Sequence, residues 1–384
     1  MFETEEQQDL RAAVSALGRK YGREYYLTRA KTGGNTDELW AEAGELGYLG
    51  VNLPTEYGGG GGGITELSIV TEELAAAGCP LLLLVVTPAI AGTILARHGT
   101  DEQRAQYLPG IADGSHRVAF AITEPEAGSN FHRIGTVARE DGDDWVLNGR
   151  KCFISAVDEA RTVLVVARTE DSATGKLQPA LFLVPTDAPG FTRSVIEMEI
   201  VAPEKQWMLY LDDVRVPASA LIGGTPDAGL PALFSGLNPE RITVAAMANG
   251  NARFALGRAA SYVGSRTVWG RPIGTHQGIA HPLAHAQIQV ELARLMTAKA
   301  AMLYDAGRDL DAGVAANMAK YAAAEAAWLA VDTAIQAHGG NGMTTEYGVA
   351  SMLGGVRSTR IAPVTREMIL NFVAQHVLGQ QRSY

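Results

Sequence analysis

Cysteine is nearly absent: Cys79 and Cys152 are the only two in 384 residues. They stand far apart in unlike contexts, so no disulfide framework organises this chain, and the usage fits a reducing cytosol. Neither has a basic neighbourhood to activate it, and each is expected to pack as a small hydrophobe rather than react. Charge is also sparse, with 19% charged residues and a net −10. That balance leaves no broad basic surface for nucleic acid, although a local cationic pocket for phosphate remains open. Long apolar runs are missing too. The most apolar stretch, Leu81-Leu82-Leu83-Leu84-Val85-Val86, is bracketed by Pro80 and Pro88 and falls far short of the ~20 residues that span a bilayer. It is expected to form a buried helix with no membrane partner. Met1-Phe2-Glu3-Thr4-Glu5-Glu6 is acidic where a secretory leader begins basic, so no signal peptide is expected and the cytoplasm is the expected location.

What is present is a well-buried composition, 47% apolar, in a chain long enough for two or three packed units. Three patterns follow one another. Up to about Leu108 the apolar spacing is helical, as in Leu67, Val70 and Leu74. Six consecutive glycines, Gly58 to Gly63, lie within it. Ile64-Thr65-Glu66 follows rather than Gly-Lys-Ser/Thr, so the run reads as a flexible connector before a helix, not a phosphate loop. From about Arg117 to Ile222 short apolar strands alternate with turns such as Asp141-Gly142 and Asn148-Gly149, which predicts a small barrel or sandwich. After Asn238 the chain is Ala-rich and helical, with amphipathic segments near Glu240–Gly264, Gly278–Gly307 and Ala312–His338, the spacing of a bundle. Asn238 is placed to cap the first of these, Pro239 to occupy its first turn, and Glu240 to sit near its positive end. The domains are expected at 1–116 (helical), 117–225 (beta) and 226–384 (helical bundle).

Four ordered segments carry a family resemblance. Ala121-Ile122-Thr123-Glu124-Pro125-Glu126-Ala127-Gly128-Ser129-Asn130 resembles the flavin motif T-E-P-x-A-G-S-D of the acyl-CoA dehydrogenases. Trp145 to Ser155 resembles their N-G-x-K-x-[WF]-I-[ST] segment. Arg266-Thr267-Val268-Trp269-Gly270 with Gln277 resembles R-x-x-F-G…Q, and Gln336 to Gly342 resembles Q-x-x-G-G-x-G. The resemblance implies a mainly α fold with a central β domain: a helical N-terminal domain, a β-barrel middle domain and a C-terminal four-helix bundle. It also implies FAD and a homotetramer built as a dimer of dimers. Phe120, Ile122, Thr123, Gly128 and Ser129 would line the flavin ring, Thr123 bonding its edge and Ser129 also meeting the CoA part of the substrate. Phe153 would cover one ring face with Ile154 beside it, and Ser155 would meet the N5 region. Arg266, Trp269 and Gln277, with Gln336, Gly339 and Gly340, would reach the dinucleotide of a neighbouring subunit, where an Arg fork suits pyrophosphate. Thr365 and Glu367 would close the site.

The family's usual catalytic glutamate position, in a run resembling I-Y-E-G-T-x-E-I/M, is Pro363 in this chain. Removing the α proton of a thioester needs a carboxylate, and the isovaleryl- and long-chain-type members carry theirs where Glu240-Arg241 stands. Glu240 is therefore the expected base, with Arg241 contacting substrate; an acid merely capping a helix start is the alternative. Pro363 also lacks the backbone N–H that the family uses on the thioester carbonyl. Upstream, the family's Arg-Asp pair is replaced by Gly354-Gly355. Three functions follow: an acyl-CoA dehydrogenase passing electrons to an electron-transfer flavoprotein, a flavin monooxygenase or oxidase of the same fold, or a catalytically silent partner in a hetero-oligomer. His276, His281 and His285 have no clustered carboxylate or cysteine, and no metal is expected.

Overall fold

The computed structural model describes residues 3–170 and 175–382. Its first part is helical: α1 (Glu5–Thr32), α2 (Asp37–Glu45), α3 (Ile64–Ala76), α4 (Thr93–His98) and α5 (Asp101–Ala112). Thr4 and Thr100 open α1 and α5 with reciprocal capping boxes to Gln7 and Gln103, each satisfying two otherwise orphaned groups. α1 bends at Gly22, whose φ of +72° a side chain would resist. The apolar run after Pro80 is buried as expected, and it continues as a π-helical stretch, Val85–Gly92, leading into α4.

The glycine run does connect to a helix, but it is stitched down rather than loose. Gly59, Gly60, Gly61 and Gly62 donate their N–H groups to the carbonyls of Pro54, Gly50, Leu53 and Val51. Asp305, distant in sequence, then accepts from the N–H groups of Ile64 (2.8 Å) and Thr65 (2.9 Å) at the start of α3.

The middle segment supplies β1 (Val118–Ala121), β2 (Val137–Asp141), β3 (Asp144–Ser155), β4 (Thr162–Glu170), β5 (Leu177–Pro185), β6 (Phe191–Ile196) and β7 (Gln206–Pro217). They form one curled sheet in the order β1-β4-β2-β3-β7-β6, with β5 also on β4. β1 is parallel to β4, pairing Phe120 with Leu164. Residues alternate between two cores, as a period of two dictates: Phe120 and Leu164 join the helical core, while Ala119, Val163, Trp145 and Phe182 pack inside the sheet.

The last part contains α6 (Gly229–Ser265), a small hairpin of β8 (Thr267–Val268) and β9 (Arg271–Pro272), α7 (Gln277–Asp305), α8 (Asp309–His338), α9 (Leu353–Ser358) and α10 (Arg366–His376). α6, α7 and α8 pack on one another, with α10 against α8. The inner face of α8 is almost wholly alanine, Ala316, Ala319, Ala323, Ala327, Ala330 and Ala334 among them. Side chains this small let neighbouring helices approach closely.

One expectation is overturned. α6 does not begin at Asn238; it begins at Gly229, about two and a half turns earlier. Pro239 is interior and Glu240 is in mid-helix, so no helix-terminus charge acts on it. An interior proline costs roughly 3 kcal/mol because it leaves the carbonyl four residues back without a partner. Here that carbonyl, Ser235, accepts the Tyr304 hydroxyl at 2.8 Å. Asn238, rather than capping, accepts from Arg241 at 3.1 Å and donates to the Asp309 carbonyl at 3.3 Å.

Candidate active site

Phe120 closes the helical core near the end of β1, and the chain then turns sharply, with Glu124 and Ala127 exchanging two backbone bonds. The turn is clamped to β3. Thr123 accepts from the Cys152 N–H at 2.9 Å, and Ile122 accepts from the Lys151 ammonium at 3.1 Å. Lys151, with no solvent exposure, also pairs with Glu124 at 2.8 Å. Burial pushes Lys151 down to about 8, against the pull of Glu124. Glu124 stays below the usual carboxylate range: burial opposes this, but Lys151 and the donors at Thr136 and Gly135 outweigh it. The clamp leaves Gly128 and Ser129 exposed at the tip, with open space where a Gly128 side chain would stand.

The same strand presents Phe153. The β3–β7 register shifts between Lys151 and Ile154, and this bulge turns Phe153 outward at φ +56°, 57% exposed, while Ile154 stays buried. A positive φ at a phenylalanine is strained and is kept only where the surroundings impose it. Ser155 follows and exchanges hydrogen bonds with Gln206 (2.9 and 3.1 Å). The structure thus brings Ile122, Thr123, Gly128, Ser129, Phe153 and Ser155 to one end of the sheet.

A second group gathers at the far end of the bundle. Arg266 ends α6 and shares a cavity of about 320 Å³ with Arg258, Tyr262, His338, Asn341 and Tyr347. Tyr262 stacks on His338 at 4.4 Å. Gln336 is exposed in the last turn of α8, with Gly339 (φ +58°) and Gly340 directly after. Trp269 tips the β8–β9 hairpin, 86% exposed, edge-on to His276 at 5.9 Å, and Gln277 opens α7 beside it. Among the described residues, no hydrogen bond, ion pair or ring contact joins this group to the Phe153 group.

The third group surrounds Glu240. Its carboxylate makes no hydrogen bond to a described residue, and it is half-buried. Burial pushes it up to about 7, against the pull of Arg241 and Lys320. Lys320 lies on the alanine face of α8, 1% exposed, donating to the Val364 carbonyl. Burial first, then Arg241, lowers it to about 8. Arg360 grips Glu325 of α8 with two bonds (2.8 and 3.0 Å). Lys320 and Arg360 therefore pin both flanks of Pro363 to α8. Thr365 caps α10 by accepting from Met368, while Glu367 stays exposed. The π-helical stretch and α4 pack on α6, and Phe234 meets Phe131 edge-on at 6.4 Å. Phe131 lies just past the Ser129 tip, so the start of α6 adjoins the Phe153 group.

Sequence reasoning missed Lys320 and the Lys151–Glu124 pair. The signal for Lys320 was available: it falls on the stripe of Ala316, Ala323 and Ala327, so its amine cannot point outward. Glu124 was masked by a turn motif that reads as surface.

These features accommodate a flavin dinucleotide. An outward aromatic beside hydroxyls offers a face for a ring system, unhindered glycines permit close backbone approach, and Arg266 has no ion-pair partner among the described residues. The fold and these sites define a flavin-dependent oxidoreductase. Protein-family profiles agree along the chain: the acyl-CoA dehydrogenase N-terminal domain matches residues 4–115, the middle domain 119–214 and the C-terminal domain 227–378. The chain is 63% identical over 383 residues to acyl-CoA dehydrogenase FadE12 of Mycobacterium tuberculosis, covering 100% of this chain and 98% of the relative. Butyryl-CoA dehydrogenase from Megasphaera elsdenii superimposes with TM-score 0.91 at 30% identity, covering 99% and 100% of the two chains. Glutaryl-CoA dehydrogenase from Mycobacterium smegmatis in complex with FADH2 does so at 0.90 and 28%, covering 100% and 97%. The chain belongs to the acyl-CoA dehydrogenase family, and it is an FAD-dependent enzyme acting on acyl-CoA.

Proposed function

We propose that the protein converts an acyl-CoA thioester to the 2-enoyl-CoA with Glu240 as the base for the α proton. The observation that carries this is an uncommitted, half-buried carboxyl raised to about 7 between Arg241 and Lys320. A base titrating near neutrality is ionised at working pH yet still basic enough to take a proton. FAD, when bound, supplies the acceptor for the β hydride. The chain's own residues do the rest. Phe153 covers the ring position, whereas Ile154, expected beside it, is 2% exposed and packs inside the sheet instead. Thr123 and Ser155 offer hydroxyls to the ring edge. Gly128 and Ser129 leave room for the CoA arm. Arg241 holds substrate beside the base, and Arg266, Trp269 and Gln277 receive the dinucleotide with Gln336, Gly339 and Gly340. Thr365 and Glu367 complete the wall behind Pro363. Pro363 offers no N–H to the thioester oxygen, and loss of one such donor costs on the order of 10²–10³ in rate.

The arrangement also supports self-association into a homotetramer. α7 carries an outward apolar stripe, Ile288, Leu292 and Leu295, each 56–57% exposed, at the spacing of one helix face. A second copy of the chain is its natural cover. Electrons leave to an electron-transfer flavoprotein, and the reaction runs in the cytoplasm.

The test is an anaerobic titration of FAD-loaded protein with a panel of acyl-CoAs. The parent bleaches; Glu240→Gln keeps its FAD and stays oxidised. Undiminished bleaching in that variant refutes the assignment. Oxygen consumption without acyl-CoA turnover points instead to an oxidase, and no activity from the chain alone points to a partner subunit.

A further inference from the structure

Arg23 follows the bend of α1 and is half-buried against the last third of the chain. Its Nη2 donates to the Ser351 hydroxyl at 3.0 Å and its Nη1 to the Gly78 carbonyl at 3.4 Å. Its Nε is sealed from solvent and has no partner. Among the described residues no carboxylate lies within ion-pair reach of this guanidinium. The buried Glu204 carboxyl on the same side accepts from the Leu82 N–H at 2.9 Å and makes no ion pair with Arg23. Beside Arg23 lies a cavity of about 50 Å³, walled by Tyr26, Pro80, Val201, Asn251, Met352 and Gly355. At Gly355 nothing stands within 4 Å of where a side chain would begin. A cation without a carboxylate partner and a void therefore coincide, where a charge withdrawn from water normally finds a counter-charge.

We propose that Arg23 and this cavity form a binding site for a small monovalent anion, chloride or one no larger than formate. A void this size admits a few water-sized atoms. The anion would lie in the cavity that Arg23 lines and neutralise its guanidinium. Since Arg23 is bonded to Ser351, the anion would also fasten α1 to the Ser351–Gly355 segment that leads through α9 to the Pro363 loop.

The experiment is thermal melting of the FAD-saturated holoenzyme at fixed ionic strength, with sodium gluconate replaced stepwise by chloride or formate. Gluconate is too large to enter. Chloride, formate or both should raise Tm by about 2–5 °C, saturating as a bound ligand does. Arg23→Gln should remove the response. Gly355→Asp, which builds a carboxylate into the open wall, should raise Tm in gluconate and also remove it. Equal melting in all three salts overturns the site. So does an anion response that persists in Gly355→Asp, and this second variant decides the matter if Arg23→Gln does not fold.

Discussion

The Tyr304 hydroxyl donates to the carbonyl of Ser235 at 2.8 Å, the acceptor that Pro239 leaves empty inside α6. This bond lets α6 run straight through a proline and deliver Glu240 from mid-helix. Removing it in Tyr304→Phe strands a buried carbonyl, at a cost of about 1–3 kcal/mol. The variant should melt lower, and Tyr304→Phe combined with Pro239→Ala, which restores the helical N–H, should recover most of the loss. No recovery would show that the hydroxyl serves another purpose.

The turn holding Thr123 and Ser129 depends on the buried Lys151–Glu124 pair. Breaking such a pair from one side costs about 3–5 kcal/mol, because the remaining charge is left uncompensated. Lys151→Met should therefore purify with little bound FAD and a lowered Tm. A variant that keeps stoichiometric FAD, read by the ratio of flavin to protein absorbance, would contradict the clamp.

The charge of Lys320 helps Glu240 ionise. In the parent, the rate of flavin bleaching by acyl-CoA should rise with pH through about 7 as Glu240 loses its proton. Without the ammonium, as in Lys320→Met, the carboxylate is harder to form, so the rising limb should move up by about one pH unit. Lys320→Arg keeps the charge and should leave the limb near 7. An unmoved limb in Lys320→Met would assign Lys320 to loop anchoring alone.

Glu204 makes stability fall with pH. Burial raises its carboxyl to about 7, more than the Leu82 N–H and Tyr26 offset. Between its ordinary value near 4.5 and about 7, the folded protein keeps a proton that the unfolded chain releases. Stability is lost across that window, and the cost is full above it. Glu159, also raised to about 7 by burial and by Glu204, acts with the same sign. Glu204→Gln cannot charge. Its stability relative to the parent should improve between pH 5 and 8 by an amount on the order of 1–3 kcal/mol, followed as Tm across pH.

Much of this was legible in the sequence. Helical, strand and alanine-rich periods marked the three parts, and the Thr123–Ser129 and Trp145–Ser155 segments pointed, through their family resemblance, to one flavin ring. Asn238-Pro239-Glu240 misled because it satisfies every local rule for a helix start. The group that permits the helix to continue, Tyr304, lies far along the chain and carries no local signature. The stitching of the glycine run was hidden in the same way, since its acceptors are the backbone carbonyls at positions 50 to 54. Gly354-Gly355 stood out as a departure, but that it lies beside Arg23, which has no carboxylate partner among the described residues, required knowing that α1 packs there.

The role of Glu240 is tested most directly by proton exchange alone. An acyl-CoA blocked at its β carbon cannot be oxidised, so deuterium uptake from D2O at its α carbon, followed by mass spectrometry, reports only the action of the base. The FAD-loaded parent should exchange this position, faster above pH 7 than below it, and Glu240→Gln should reduce exchange to the rate without enzyme. Exchange at the parent rate in Glu240→Gln would contradict the account and place the base elsewhere.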